Sequence, residues 1–417
     1  MGKETQMALS TNANLKVTNK VTLKALQQLV NNLVIASKAS KQYESQFASA
    51  KTSDKLFIRR PIITDIIEDS MDFVYNEPVE STVTLAIDKT FQAPLKFNDV
   101  DLSLKIEDFE KRFIEQTMVA LANKIDKWIY ENVVNVVANT VGQYSTAIST
   151  ATILEAKTKL DENGAPYAGR TAILTSKQAS SLANYQQTVQ FNNQKAIGEI
   201  YKTGEMSQFA GLDFFQSESA PTHVDGLWAG SPLVSATASA LTSGWAEEST
   251  ISVAGFTTST TVNVGDVFTL SGVYGYNPLT KNASTDLQQF VVKTAVTAAT
   301  SAAQALVISP ALITSGTYKN VDITIAGNVP LIKYSTSGTR GRDGLVFSPE
   351  ALAVASITLP DVIGAENKSL TDSDTGITVN YARGSDITKR TNLNRLDVVM
   401  GMKVTRPEWF CRVRGEG

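Results

Sequence analysis

Ile106-Glu107-Asp108-Phe109-Glu110-Lys111-Arg112-Phe113-Ile114-Glu115-Gln116-Thr117-Met118-Val119-Ala120-Leu121-Ala122-Asn123-Lys124-Ile125-Asp126-Lys127-Trp128-Ile129-Tyr130, running on to Val137, is the stretch on which the reading of this chain turns. Ile114, Met118, Leu121, Ile125, Trp128 and Ile129 recur at three- and four-residue spacing and predict one amphipathic helix. Ser103 can cap it, and Glu107, Asp108 and Glu110 fall in the first turns, where the helix dipole favours negative charge. A helix from Ile106 to Val137 would be a rod on the order of 50 Å long.

Upstream, Leu26, Leu29, Val30, Leu33 and Val34 predict a second amphipathic helix within Leu15 to Ser37. Its stripe has either its own domain or another subunit to cover. Between them, Leu56 to Leu104 reads as a long two-stranded arm: Phe57-Ile58, Ile62-Ile63 and the alternating run Thr82 to Ile87 are strand-like, and Pro61, Pro78 and Pro94 belong to edge or extended segments. Such an arm buries too little surface to be stable alone.

Downstream, a helix is expected from Ser149 to Leu160, closing at Asn163-Gly164-Ala165-Pro166, then a buried strand Thr171 to Leu174 and a helix capped by Ser176 through Leu182. A mobile polar stretch, Gln186 to Gln194, precedes the turn and strand of Phe209 to Phe215. From Thr222 to Lys333 the composition becomes rich in Ser, Thr, Ala, Gly and Val. Short runs at Val262–Leu270, Gln289–Val292 and Ala305–Ile308 predict a small antiparallel barrel or sandwich inserted into the α+β chain. A strand at Leu345 to Phe347, a short helix from Pro349 to Val354 and a closing strand from Arg395 to Arg406 complete the pass.

Composition removes several function classes. A chain of 417 residues is expected to hold two or three domains, and its net charge of -3 gives no bulk attraction to nucleic acid. The single cysteine, Cys411, excludes an intrachain disulfide and a cysteine-rich metal site. No apolar run approaches the roughly 20 residues that span a bilayer, and Met1 to Ser10 has no signal-like core, so the chain is expected to be made and used in cytosol.

Three segments carry a family resemblance. Phe209-Ala210-Gly211-Leu212-Asp213 before Ser219-Ala220-Pro221, the run Val264-Gly265-Asp266-Val267-Phe268-Thr269-Leu270-Ser271-Gly272-Val273, and Leu396-Asp397 to Thr405-Arg406-Pro407-Glu408 together resemble tailed-phage major capsid proteins of the Hong Kong 97-type fold, most closely the coat proteins of Salmonella-type short-tailed phages. The chain departs from that pattern in a longer leader before Met7 and in the composition of the insertion. The resemblance implies an N-terminal arm over residues 1–55, an extended β loop over 56–104 and a spine helix with peripheral region over 105–148. It further implies an axial-type domain in two parts, 149–221 and 334–394, an inserted β-rich domain over 222–333, and a C-terminal strand and tail over 395–417.

Functionally, the resemblance implies a shell of hexamers and pentamers around double-stranded DNA bound without sequence specificity, assembled in the host bacterial cytoplasm and located in the virion. Its implied partners are a scaffolding protein, a portal protein and a decoration protein, with no membrane and no cofactor. An encapsulin-like compartment shares the shell fold, and an adhesin or tail-associated binding protein would account for the Ser/Thr-rich insert but not for the spine helix. An exposed cavity with convergent aromatics would favour an adhesive or decoration-binding role for the insert.

No catalytic constellation is legible. The only histidine, His223, reads as a surface or boundary residue, and Cys411 beside Trp409 and Phe410 reads as a packed thiol. Gly338-Thr339-Arg340-Gly341-Arg342-Asp343-Gly344 matches no phosphate-binding spacing and reads as a flexible junction loop. Arg340 and Arg342 within it are candidates for pairing across a subunit boundary. Glu68, Asp69, Asp72, Glu77 and Glu80 read either as a solvated acidic loop or as partners for Arg59, Arg60, Lys111 or Arg112 of an adjacent subunit, setting register more than affinity.

Overall fold

The computed structural model describes residues 19–41, 55–60, 63, 80–98, 114–189, 208–236, 241, 244–277, 280–298, 302–323, 325, 327–386 and 391–415. The predicted central helix is present as Glu115–Val134, whose 20 residues span about 30 Å. Ile114, Met118, Leu121, Ile125 and Ile129 of the predicted stripe are buried and Trp128 is half-buried, with Ala122 buried beside them. The expected start at Ile106 and the Ser103 cap lie outside the described residues. No helix among the described residues is long and apolar enough to cross a membrane.

The chain forms two units: Met1–Phe57 with Thr84–Ile129 and Leu352–Lys403, and Ile58–Val83 with Tyr130–Ala351 and Val404–Gly417. In the first, a helix over 19–32 buries Val21, Ala25, Leu26 and Leu29, so its stripe is covered within its own unit. The chain leaving this helix is held by Asp126, whose carboxylate accepts from the Val34 N–H at 2.7 Å and the Ala36 N–H at 3.2 Å. Ser40 then bridges in parallel to Ala353 at the edge of a five-stranded sheet.

That sheet contains Leu352–Ile357, Thr391–Val404, Thr378–Asp386, Glu366–Thr371 and, paired to the long strand Thr391–Val404, Lys89–Asn98. Pro94 lies inside this last pairing, opposite Arg395, on an edge segment as its proline predicts. Among the described residues Lys89–Asn98 is an edge strand, and there a missing N–H is tolerated. The expected helix Pro349 to Val354 is a single 3-10 turn, Pro349–Ala351, before the strand Leu352–Ile357. Its Leu-Ala-Val-Ala-Ser run is buried on both faces although the strand ends the sheet's order, and the Ser40 bridge lies against it.

The second unit is built on a mixed seven-stranded sheet in the order Thr140–Gly142, Phe410–Arg414, Arg340–Phe347, Thr171–Leu174, Leu212–Gln216, Gln208–Phe209, with Thr222–Val224 also paired to Arg340–Phe347. Helix Thr150–Glu162 starts at a capping box made by Ser149 and Thr152 and packs through Ile153, Ala156 and Leu160. The next helix, Ser176–Val189, runs past the predicted end at Leu182 into the stretch expected to be mobile. Its cap is Thr175, not Ser176: the Thr175 hydroxyl accepts from the Gln178 N–H, and the Gln178 side chain accepts from the Thr175 N–H. The turn between Gln208–Phe209 and Leu212–Gln216 places both Ala210 and Gly211 at positive φ, the two-residue hairpin geometry that matches strand twist.

Gly338 to Gly344 is corrected from a flexible loop to the start of a central strand, Arg340–Phe347. Its glycines serve close packing: a Cβ on Gly341 would fall into the Tyr144 ring, and one on Gly344 would meet Gln178 at 2.8 Å and Leu174 at 2.9 Å.

Within this unit the described residues of the segment expected to be an insert, 222–333, carry β-strands. Leu331–Lys333, Val267–Asn277, Asn282–Val292, Gln304–Ser309, Ser249–Phe256 and Gly230–Val234 form a six-stranded antiparallel sheet in that order. A Leu233–Pro330 bridge also links the two end strands. Phe256, Phe268, Phe290, Leu270, Val292 and Ile308 fill its core, with Trp228 edge-on to Phe256 at 5.7 Å.

Candidate functional site

The strand Phe410–Arg414 carries Arg412 and Arg414 on one face and Cys411 and Val413 on the other, and all four are fully buried. Across the ladder, Asp343 faces Arg414. The Asp343 carboxylate accepts from Arg412 through Nε at 2.8 Å and through Nη2, from the Tyr144 hydroxyl at 2.8 Å, and lies 3.4 Å from Arg414 Nε. The Tyr130 hydroxyl donates to the Asp343 carbonyl at 2.6 Å. Arg412 also donates through Nη1 to the Gly265 carbonyl of the insert at 2.7 Å and to the Val134 carbonyl at the end of the central helix at 3.3 Å. One guanidinium thereby joins the sheet, the helix end and the insert.

A second layer lies at the entry strand of the insert. His223 Nε2 lies 3.4 Å from Asp225 Oδ1 and 3.2 Å from Asp266 Oδ1. Asp225 accepts from the Ser335 hydroxyl at 2.5 Å and the Thr339 hydroxyl at 2.9 Å, and Arg414 Nη1 lies 3.5 Å away. Asp266 accepts from the Gly226 and Asn263 N–H groups and from Trp228 Nε1 at 2.8 Å. A neutral pair reinforces the joint: Gln289 accepts from the Thr140 N–H at 2.7 Å and donates to the Thr140 carbonyl at 2.9 Å.

The electrostatics follow from burial opposed by pairing. Burial alone would raise Asp343, but the charges of Arg412 and Arg414 outweigh it and hold its carboxyl below the usual range. Asp225 is likewise drawn well below that range, because His223, Arg414, Ser335 and Thr339 outweigh its desolvation. Burial pushes His223 down, and hydrogen bonding to Asp225 and Asp266 more than reverses this, so its net shift is upward. Desolvation raises the Tyr130 and Tyr144 hydroxyls, which stay protonated as donors.

His223, Asp225 and Asp266 have the residue types of a metal site. The donors around Asp266 occupy the lone pairs that an ion would need, and Arg414 places a cation beside Asp225. The arrangement is therefore a structural joint, in which Asp343, Asp225 and Arg412 are paired and hydrogen-bonded, while Arg414 is paired with Asp343 and Asp225 and lies 4.6 Å over the Tyr144 ring with its Nε and Nη2 lacking hydrogen-bond partners.

Of the two readings of His223, surface or boundary, the surface one is corrected: it is mostly buried in the strand Thr222–Val224 and tied to two carboxylates. Cys411 is buried and its thiol is pushed upward by desolvation, which leaves little thiolate for nucleophilic chemistry. Arg342 pairs with Glu218 at 2.6 Å within the chain, and Arg340 is exposed at the start of its strand. Arg59 lies 3.7 Å from Glu80, with both side chains largely exposed, and Arg60 pairs with Glu408. Glu68, Asp69, Asp72, Glu77, Lys111 and Arg112 lie outside the described residues. Sequence reasoning missed Asp225, Asp266, Asp343, Arg412 and Arg414. The available signal was charge embedded in apolar strands, as in Phe410-Cys411-Arg412-Val413-Arg414.

No curated protein sequence matches the chain. Among solved structures, a chain from Mycobacterium phage Che8 aligns with TM-score 0.47 at 13% identity, covering 91% of this chain and 90% of that one. The capsid of Cyanophage P-SCSP1u aligns with TM-score 0.42 at 11% identity, over 87% and 84%. A virus-like particle protein from Pyrococcus furiosus aligns with TM-score 0.39 at 8% identity, over 95% and 98%. The family model described as P22 coat protein, gene protein 5, matches residues 7–411. That match spans both units and the insert, and this chain, a major capsid protein of the virion, belongs to the P22 coat protein family.

Proposed function

We propose that this chain closes into the icosahedral shell of a tailed phage around double-stranded DNA, as hexamers and pentamers built from a Hong Kong 97-type subunit. The observation that carries the reading is the family match over residues 7–411. The subunit divides at the boundaries given above, with the central helix as its spine and residues 222–333 as an insert closed into a barrel. The Leu233–Pro330 bridge and the Asn328 N–H bond to the Val234 carbonyl at 2.6 Å support that closure.

Assembly takes place in the host bacterial cytoplasm with a scaffolding protein, a portal occupies one vertex, and a decoration protein binds the finished surface. Many individually modest contacts act together in a closed shell, so the particle is far more stable than any one interface. Glu68, Asp69, Asp72, Glu77, Lys111, Arg112 and Arg340 contribute to those contacts, and the exposed pairs Arg59–Glu80 and Arg342–Glu218 can exchange partners there at little cost.

The test is electron microscopy of the purified chain, alone and coexpressed with a scaffolding protein. Closed particles with hexamer and pentamer clusters are expected, enclosing DNA when the packaging machinery is present. Persistent monomers under both conditions would overturn the proposal, and particles that fill with protein cargo in place of DNA would reassign it to an encapsulin-like compartment.

A further inference from the structure

A cavity of about 380 Å³ opens in the second unit, lined by residues of the 222–333 segment and of the turn at Pro407–Trp409. Its volume lies in the range of small-molecule pockets, about 300–1,000 Å³. One wall is built on Ala311, Ile313 and Tyr318, a buried apolar cluster against which Ile63 and Trp245 pack. Trp409 supplies another, fixed by its Nε1 bond to the Asn163 carbonyl at 3.0 Å and by the Arg406 guanidinium stacked 3.9 Å over its ring. Arg60 also lines the cavity and is held in place: its guanidinium stacks 4.1 Å over the Trp245 ring and Nη2 pairs with Glu408. Its side chain is only 9% exposed, yet Nη1 has no hydrogen-bond partner among the described residues. Buried donors without partners are rare in folded proteins, and one on a cavity wall marks where an acceptor from outside belongs.

We propose that this cavity binds a small aromatic carboxylate, whose carboxylate accepts from Arg60 Nη1 while its ring rests on the side chains of Trp245, Tyr318 and Trp409. Each half of the ligand answers a feature of the walls. Hydrogen bonds between ionised partners are shorter and stronger than neutral ones, so a guanidinium edge selects a carboxylate over an amide or an alcohol. Glu408, which already pairs with Arg60, has a side chain 32% exposed, so solvent screens its repulsion of a second carboxylate. Water alone would satisfy the donor, but aromatic walls offer it few hydrogen bonds and hold it poorly. A planar ring instead finds the offset and edge-on contacts that aromatic side chains favour. The bound ligand would touch both the 222–333 segment and the Pro407–Trp409 turn, and would therefore stabilise the second unit by mass action. The site goes beyond the shell reading and does not depend on it.

The experiment titrates naphthoate into the dilute, unassembled full-length chain by calorimetry, with naphthamide as its neutral isostere. One saturable site per chain is expected for the acid, with the amide weaker by about tenfold or more, the equivalent of about 1.4 kcal/mol. The thermal midpoint of unfolding should rise with naphthoate concentration and much less with naphthamide. This comparison leaves the protein unchanged, so it stands whether or not any variant folds. Arg60→Gln should erase the preference for the acid, and Ala246→Phe, which fills the cavity and spares Arg60, should weaken both probes; circular dichroism checks that each variant is folded. No saturable binding of naphthoate, as when the chain's own residues fill the cavity, overturns the proposal. Equal binding of acid and amide, or naphthoate binding unchanged in both folded variants, overturns it as well. None of these results bears on particle formation, so the shell reading stands or falls separately.

Discussion

Replacing Arg412 with methionine removes the centre of the buried joint while keeping an unbranched apolar side chain in its place. The substitution deletes two hydrogen bonds to Asp343, one to the Gly265 carbonyl and one to the Val134 carbonyl. It leaves Asp343, 1% exposed, with only Arg414 to balance its charge. Breaking a buried pair from one side costs about 3–5 kcal/mol, chiefly because the remaining charge is stranded away from water. With an m-value of about 4 kcal/mol/M in guanidinium chloride, the unfolding midpoint of the second unit should fall by about 1 M. Circular dichroism on the unassembled chain reports this transition. In a double-mutant cycle with Asp343→Leu, the two positions should couple by about 2 kcal/mol or more, because removing both charges relieves the stranding. A loss below about 1 kcal/mol for Arg412→Met, or no coupling, would refute the claim that paired buried charge holds this joint.

Gly341→Ala should destabilise the second unit by about 1–3 kcal/mol, since the new Cβ enters the Tyr144 ring, whereas alanine at Gly384, with open space around it, should be nearly neutral; thermal unfolding compares them. Burial raises Asp126 from 3.8 to about 6, against hydrogen bonding from the backbone around Val34 and Ala36. A carboxyl raised in the fold stabilises it most when protonated, so the contribution is full below about pH 4 and is lost by about 3 kcal/mol as pH rises through 6. Asp126→Asn should flatten that slope in chemical unfolding at a series of pH values. His223 is also raised, so its pairing with Asp225 and Asp266 is fully present below 6.5 and fades as pH rises through its folded value. The second unit should therefore lose stability on the alkaline side of 6.5, and His223→Phe should lack that loss in the same assay.

Local physics made much of the fold legible. The stripe Ile114, Met118, Leu121, Ile125, Trp128, Ile129 has a helical period, and the Asn163-Gly164 stop and the alternating strands of the insert are equally local signals. The joint was not legible, because its pairs are remote: Arg412 meets Asp343 69 residues away, and Arg414 meets Asp225 189 residues away. One sequence carries no sign of which charges will meet. The same limit turned Gly341 and Gly344 into an apparent loop, since a glycine that yields to a distant Tyr144 or Gln178 looks locally like one that makes a turn. The cap at Thr175 was missed for a nearer reason, as Thr175 and Ser176 both qualify and only the Gln178 side chain three residues on decides between them.

The polar character of the joint bears on what a shell demands of its subunit. Among the described residues the apolar cluster beside it is small, Ala138, Val267 and Val291 with Tyr334 packed against them, and such a contact has no directional preference. The amide pair of Gln289 with Thr140, the Arg412 bond to Gly265 and the two carboxylates around His223 each have one geometry. Buried ionic groups add little net stability over well-packed apolar ones, so what they contribute here is a unique seating of the insert. In the proposed shell one subunit repeats many times, which multiplies any error in that seating. Weakening the joint by Gln289→Leu should therefore appear in electron micrographs as malformed or heterogeneous particles before folding of the isolated chain is lost. Uniform particles from a variant with an unpaired Thr140 would show that the seating is fixed elsewhere.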